Sequence, residues 1–144
     1  MPAIIVAYVT HVGDFTKIGN AYGKLMSWAG PKGLNGGKTI TVYHDDPNIT
    51  DISKVRQSAC IELKQPVKTS GAINSTTIKE GNYATGKFEI GFSEFAEAWG
   101  SMMIWVKENG YKVNNERGSY EIYHNNFNNH PQKKCIIEIC VPVK

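Results

Sequence analysis

The segment Tyr120-Glu121-Ile122-Tyr123 contains the residues best suited to chemistry in this sequence. It has the alternation of a β-strand, in which successive side chains point to opposite faces. Glu121 and Tyr123 therefore share one face, where a carboxylate lies beside a phenol. Such a pair could attract an organic cation, or act as a general acid or base when it is removed from water. The alternative is that Glu121 lies on a solvent face and pairs with a lysine.

The same strand pattern occurs earlier, in Thr39-Ile40-Thr41-Val42-Tyr43-His44, where Thr41 takes the position of Glu121. The match continues into two apolar helical stripes, in which every matched pair has the same separation along the chain. Residues related in this way are Ile18 and Phe95, Tyr22 and Trp99, Gly23 and Gly100, Trp28 and Trp105, and Gly33 and Gly110. These matches indicate a duplicated strand–helix–strand–strand unit.

The separation changes after the helices. The separation along the chain is larger between Tyr43-His44 and Tyr123-His124, because the second loop is longer. It is slightly smaller between Glu62 and Glu138, which we align in the last strands of the two repeats. We therefore predict a single domain over residues 1–144, with internal repeats at approximately 1–67 and 75–144. The expected fold is α+β, with an antiparallel sheet and two main helices around a central cleft.

Local signals place the elements. Strands are predicted over Ala3–Val12, Thr39–His44, Ser58–Gln65, Tyr120–His124 and Cys135–Val143, with one or two more in Thr76–Ile90. Thr16 and Ser93 are predicted to cap the helices, Gly33 and Gly110 to end them, and Asp46-Pro47-Asn48 to form a turn. Gly23 and Gly100, inside the helices, predict that another group approaches closely there.

Aromatic side chains are concentrated on the two helices. Tyr22 and Trp99 lie on the apolar stripes, where core packing competes with a role in a cleft. Trp28 and Trp105 fall beside the stripes, so they could line a cleft wall or pack at an edge.

Other site chemistries find little support. His44 and Asp45 are neighbours on a strand, so they cannot easily share an ion with His124, and we predict no metal or cofactor. Cys60, Cys135 and Cys140 lie in apolar runs and are interpreted as buried hydrophobes in a reducing cytosol. No serine-hydrolase elbow or phosphate-binding loop is found.

Composition excludes several classes of protein. The 144 residues are 41% hydrophobic and 20% charged, which is typical of one soluble domain. A formal net charge of +3 without a basic cluster argues against direct nucleic-acid binding. The beginning of the chain is not a signal peptide and nothing reaches membrane-spanning length, so a cytoplasmic location is expected.

A set of motifs spread over nearly the whole chain resembles the GyrI-like family, the effector-binding domain of AraC- and MerR-type bacterial regulators. The motifs are Val12-Gly13, Tyr43-His44-Asp45-Asp46-Pro47, Glu80-Gly81-Asn82-Tyr83-Ala84, the second helix with Trp99 and Trp105, Tyr120-Glu121-Ile122-Tyr123, and Val141-Pro142-Val143. The resemblance implies two strand–helix–strand–strand units around a ligand cleft. In multidrug-sensing members a buried glutamate there meets lipophilic cations, and Glu121 is the matching position.

Three functions follow from the residues and the resemblance. The first is capture of a lipophilic or cationic small molecule by Glu121 and aromatic walls, with a link to transcription regulation. The aromatic residues proposed to line this site are Tyr22, Tyr43, Tyr83, Trp99, Trp105 and Tyr123. The second is hydrolysis of a small electrophile, because some stand-alone members resemble hydrolases, with Glu121 as the acid or base. The third is a protein partner, either a regulator or DNA gyrase. The sequence predicts no oligomeric state.

Overall fold

The structure is a computed structural model that describes residues 2–14, 17–45 and 49–144, apart from the side chain of Phe127. Within this part of the chain, seven strands and two α-helices form two compact units, Met1–Gly81 and Asn82–Lys144. The elements are β1 (Ile4–Val12), α1 (Gly19–Ala29), β2 (Thr39–Tyr43), β3 (Arg56–Leu63), β4 (Asn74–Ile78), β5 (Tyr83–Ile90), α2 (Phe95–Glu108), β6 (Ser119–Tyr123) and β7 (Cys135–Pro142). The predicted cap at Thr16 and the predicted turn at Asp46-Pro47-Asn48 lie outside the described residues.

In the first unit, four antiparallel strands lie in the order β4-β1-β3-β2. Helix α1 covers one face of this sheet and buries Ala21, Leu25 and Ala29, which recur every four residues. The facing strand residues alternate along each strand and include Ala7, Val9, Ala59 and Ile61. The side chains between them point to the opposite face, which α1 does not cover.

In the second unit, three antiparallel strands lie in the order β6-β7-β5. Helix α2 buries Ala98, Met102 and Val106 on one face of this sheet. These side chains pack against alternate residues of β7, namely Ile137, Ile139 and Val141. Each unit therefore contains the predicted strand–helix–strand–strand order, and the α+β antiparallel fold is confirmed. The central cleft and the single-domain division stay predictions.

The helix ends agree with the sequence signals more closely than the helix beginnings. Gly33 and Gly110 adopt φ values of 68° and 77°, a left-handed conformation in which glycine avoids the steric cost that other residues meet. The predicted cap at Ser93 is wrong. A short 3-10 turn precedes α2, and its Glu94 carboxylate accepts the Gly91 N–H at 3.1 Å instead.

The strand register corrects one step of the repeat alignment. Val42 pairs with Ser58 in the first unit, and Ile122 pairs with Glu138 in the second. Since Val42 corresponds to Ile122, the counterpart of Glu138 is Ser58, and the predicted alignment of Glu62 with Glu138 is wrong. The alignment found in the helices extends to the first strands, because Ala7 pairs with Ile61 as Ala84 pairs with Val141.

The two mid-helix glycines do not mark a close approach within the described chain. A Cβ at Gly23 or Gly100 would meet no described heavy atom within 4 Å, so that prediction is wrong. Neither helix in the described part of the chain is long and apolar enough to cross a membrane.

Candidate functional site

Glu121 lies at the centre of β6, on the sheet face that α2 covers. Its neighbours Tyr120 and Ile122 point to the other face, and Ile139 of β7 is its partner across the strand pair. The residue is only 1% exposed. The strand alternation placed the carboxylate on the apolar, helix-covered side of the sheet, so pairing with a lysine on a solvent face is not its arrangement.

Two side chains donate hydrogen bonds to this carboxylate. The Trp99 indole N–H reaches Oε2 at 2.6 Å, and the Tyr123 hydroxyl reaches Oε1 at 2.7 Å. Hydrogen bonds to a carboxylate are stronger than bonds between neutral groups when the carboxylate is ionised. Each carboxylate oxygen is thus held by a different aromatic residue, one from the helix and one from the same strand. The predicted Glu121, Tyr123 and Trp99 therefore come together.

Exposed apolar side chains lie on α2 and just before its first residue. Met103 is four residues after Trp99 on α2, so the two share one helix face, and Met103 is 42% exposed. Phe92 is 62% exposed and its ring centroid lies 6.2 Å from that of Phe95, one turn before Trp99. Exposed apolar groups on the helix that supplies Trp99 suit a ligand that combines a charge with a large apolar surface.

The first unit carries an uncharged counterpart. Tyr22 and Thr41, which correspond to Trp99 and Glu121, are joined by a hydrogen bond of 2.6 Å between their hydroxyl oxygens. Tyr43 follows Thr41 on the same strand face, as Tyr123 follows Glu121. Sequence matching found these positions, but the hydrogen bond between Tyr22 and Thr41 was not predicted.

Two predicted site residues lie elsewhere in the second unit. Trp105 is six residues beyond Trp99, about 120° away around the helix axis, and its ring stacks on Tyr111 at 5.7 Å. Tyr83 is on the face of β5 away from α2, where its ring packs edge-on against Tyr120 at 5.4 Å. Trp105 and Tyr83 of the second unit therefore do not join the hydrogen-bonded group of Glu121, Trp99 and Tyr123 in that unit.

The sheet faces away from the helices contain further polar pairs. His44 Nε2 lies 2.7 Å from Ser58 Oγ, and at the corresponding positions His124 Nε2 lies 3.0 Å from Glu138 Oε1.

Burial raises the pKa of the Cys60 and Cys140 thiols to about 12, so both remain protonated and unreactive at neutral pH. Among the described residues, no cluster of three or more His, Cys, Asp or Glu side chains could hold a metal ion.

An α+β fold with a buried, doubly hydrogen-bonded carboxylate, and with exposed apolar groups on the helix that bonds it, has the character of a small-molecule-binding module. The comparison of sequences identifies the module: the chain belongs to the GyrI-like small molecule binding domain family, whose model matches residues 1–144. The DNA gyrase inhibitor 2 of Dickeya dadantii is 27% identical over an alignment of 103 residues that covers 68% of this chain. The match spans only 64% of that relative's length.

Solved structures share the fold. The C-terminal domain of EcmrR superposes with a TM-score of 0.76 at 22% identity, covering 100% of this chain and 93% of that chain. A hydrolase from Listeria innocua gives 0.67 at 13% identity, covering 99% of this chain and 88% of that chain. SAV2435 bound to tetraphenylphosphonium gives 0.64 at 11% identity, covering 100% of this chain and 90% of that chain.

Proposed function

We propose that this domain captures lipophilic cations, with Glu121 as the group that selects for positive charge. The observation that carries the proposal is the carboxylate itself, which is 1% exposed and is held by Trp99 and Tyr123. Removing an ionised carboxylate from water is costly unless its charge is compensated. A cation compensates that charge better than hydrogen bonds alone.

The surroundings favour a delocalised or alkylated cation over a small, hydrated one. Trp99 and Tyr123 offer aromatic surface next to the charge, and aromatic faces attract cations through their quadrupole. Met103 adds a flexible, polarisable side chain that can adapt to ligands of different shape. The tetraphenylphosphonium complex of SAV2435 is consistent with this class of ligand, since that protein shares the fold at a TM-score of 0.64.

The experiment is a fluorescence titration in which Trp99 is the only indole. The chain has three tryptophans, so the double variant Trp28→Phe/Trp105→Phe leaves one emitter at the site. The Trp28 indole N–H makes no hydrogen bond among the described residues, so phenylalanine removes an unpaired donor. We expect tetraphenylphosphonium to change the Trp99 emission saturably. An unchanged spectrum with folded protein, up to the solubility limit of the cation, would contradict the proposal.

A second candidate function is hydrolysis of a small electrophile. It is favoured by the Tyr123 hydroxyl, which lies 2.7 Å from Glu121 and could pass a proton to the carboxylate and back. Chromatography of each bound compound after prolonged incubation separates the two functions, because a binding module returns the compound unchanged. Turnover that disappears in Glu121→Gln would favour the enzyme.

A protein partner is the third candidate, motivated by the 27% identity to a gyrase inhibitor. A supercoiling assay with purified gyrase tests it, and variants of Glu121 should leave any inhibition intact if a surface is responsible. For the regulatory alternative, the partner would be a DNA-binding protein, since the chain's own charge is only +3. We propose a cytoplasmic location for each of these roles, because the three cysteines are free and buried.

A further inference from the structure

The first unit has a cavity on the sheet face away from α1, which we term the open-face groove. Its volume is about 390 Å³, within the range of small-molecule sites. It arises because alternate residues of each strand point away from the helix. The lining residues are Val6, Tyr8, Thr10, Val42, His44, Arg56, Ser58, Cys60, Thr76, Thr77 and Ile78.

The groove combines an apolar floor with hydrogen-bonding groups. Tyr8 and Val42 supply partly exposed apolar surface above the buried Val6 and Cys60, whereas His44 and Ser58 form a polar pair at 2.7 Å. Arg56 lies two residues before Ser58 on β3 and also lines the groove. A ligand that fits needs an apolar body and one polar end.

The charge of the groove indicates which polar end. Arg56 is the one fully charged residue among the described lining residues, and none of them carries a carboxylate. Arg56 donates from Nε and Nη2 to the neighbouring Asp45 carboxylate at 2.9 Å and 3.0 Å, and its Nη1 makes no hydrogen bond to the described residues. Burial, and then the charge of Arg56, lower the pKa of His44 below its usual 6.5, although the neighbouring Asp45 carboxylate acts in the opposite direction. The groove therefore disfavours added positive charge and offers donors to an anion.

The second repeat shows that the groove is not a necessary consequence of the fold. By the register, Tyr83 and Tyr120 stand where the first unit has Val6 and Ile40, and their rings pack edge-on at 5.4 Å. Glu138 stands at the position of Ser58 and pairs with His124. The second unit thus has a larger residue at the position of Val6 and a carboxylate at the position of Ser58, and both of these first-unit residues line the groove.

We propose that the open-face groove is a second ligand site, separate from Glu121, which binds small amphiphilic carboxylates. The carboxylate accepts from the guanidinium of Arg56 and from the hydroxyl of Ser58. The hydrocarbon part lies on Tyr8 and Val42. The two sites of the chain would then select ligands of opposite charge.

The test uses octanoate as the probe and methyl NMR spectra of the full chain as the readout. We expect saturable shifts at Val6, Val42 and Ile78. Arg56→Met should weaken octanoate binding about tenfold or more, the loss expected for a charge-assisted hydrogen bond. The variant should fold, because the Arg56–Asp45 pair is exposed at the arginine and such pairs add little stability. Val42→Phe, which fills the groove, should abolish binding independently of charge.

Two controls separate this site from general effects. Lys87→Met removes an exposed positive charge from the corresponding face of the second unit and should leave octanoate affinity unchanged. Octyltrimethylammonium, with the same chain and the opposite charge, should leave the groove methyl groups unshifted. The proposal is overturned if octanoate shifts no groove residue, if Arg56→Met and Lys87→Met weaken it equally, or if octyltrimethylammonium produces the same groove shifts.

Discussion

Replacing Glu121 with glutamine removes the charge while keeping the shape of the side chain. The amide oxygen can still accept from Trp99, whereas the amide nitrogen must face Tyr123, whose hydroxyl can rotate to accept. Two charge-assisted bonds become neutral ones, at a cost of about 1 kcal/mol each. The variant no longer has to bury an ionised group, which offsets much of that cost. We therefore expect the melting temperature to change by only a few degrees.

Cation binding should respond much more strongly. A positive charge about 4 Å from a carboxylate gains about 4 kcal/mol at an effective dielectric constant of 20. Part of this attraction replaces hydration that the ligand loses on binding, so we expect a loss of about 2–3 kcal/mol. That corresponds to a Kd for tetraphenylphosphonium that rises about 30- to 150-fold.

Isothermal titration calorimetry measures this change directly. Glu138→Gln is the matched control, because it removes the same charge from β7 on the sheet face away from α2. Triphenylphosphine oxide is the neutral comparison ligand and should bind wild type and Glu121→Gln about equally. Equal losses in the two glutamine variants, or equal affinity of wild type for the cation and the neutral compound, would refute the role of Glu121.

Three further predictions concern stability. Tyr123→Phe removes a hydrogen bond to a buried charge and should lower the free energy of unfolding by about 1.5–3 kcal/mol in urea denaturation, and a loss below about 0.5 kcal/mol would contradict it. Gly37→Ala would place a Cβ in steric overlap with the Glu62 carbonyl oxygen and should cost about 1–3 kcal/mol, whereas Gly36→Ala meets nothing within 4 Å and should be nearly neutral. The pKa of His44 is lowered in the folded state, so neutral His44 contributes its full stability above pH 6.5. This contribution is lost as the pH falls through the folded-state pKa. His44→Gln should flatten the dependence of stability on pH in this range.

The alternation of strand residues was enough to predict which side chains share a face. It placed Glu121 with Tyr123, and the structure agrees because period-two alternation follows from strand geometry alone. The constant separation of matched helix residues likewise predicted that Trp99 and Tyr22 correspond. These inferences succeeded because they depend on backbone periodicity, which tertiary packing rarely overrides.

Inferences that required knowledge of contacts were less successful. Glu62 and Glu138 matched by residue type, but the register is fixed by which strand residues face the helix, and it gives Ser58 as the counterpart of Glu138. Ser93 looked like a helix cap, but the Glu94 side chain reaches back to the Gly91 N–H. The open-face groove could not be predicted, because a cavity depends on side-chain volumes from several strands.

Hydrogen-bonding chemistry accounts for the carboxylate of Glu121 in one unit and the hydroxyl of Thr41 in the other. An indole N–H is a donor only, so Trp99 requires an acceptor at the end of its hydrogen bond, and the carboxylate of Glu121 supplies it. A tyrosine hydroxyl can donate or accept, so Tyr22 is satisfied by the hydroxyl of Thr41. Each helix residue thus forms a hydrogen bond suited to the strand residue of its own unit. Exchanging only one residue of a pair weakens that hydrogen bond. Residue types at these two positions are therefore best changed together, and a Trp99→Tyr/Glu121→Thr double variant should retain the fold while losing the charge.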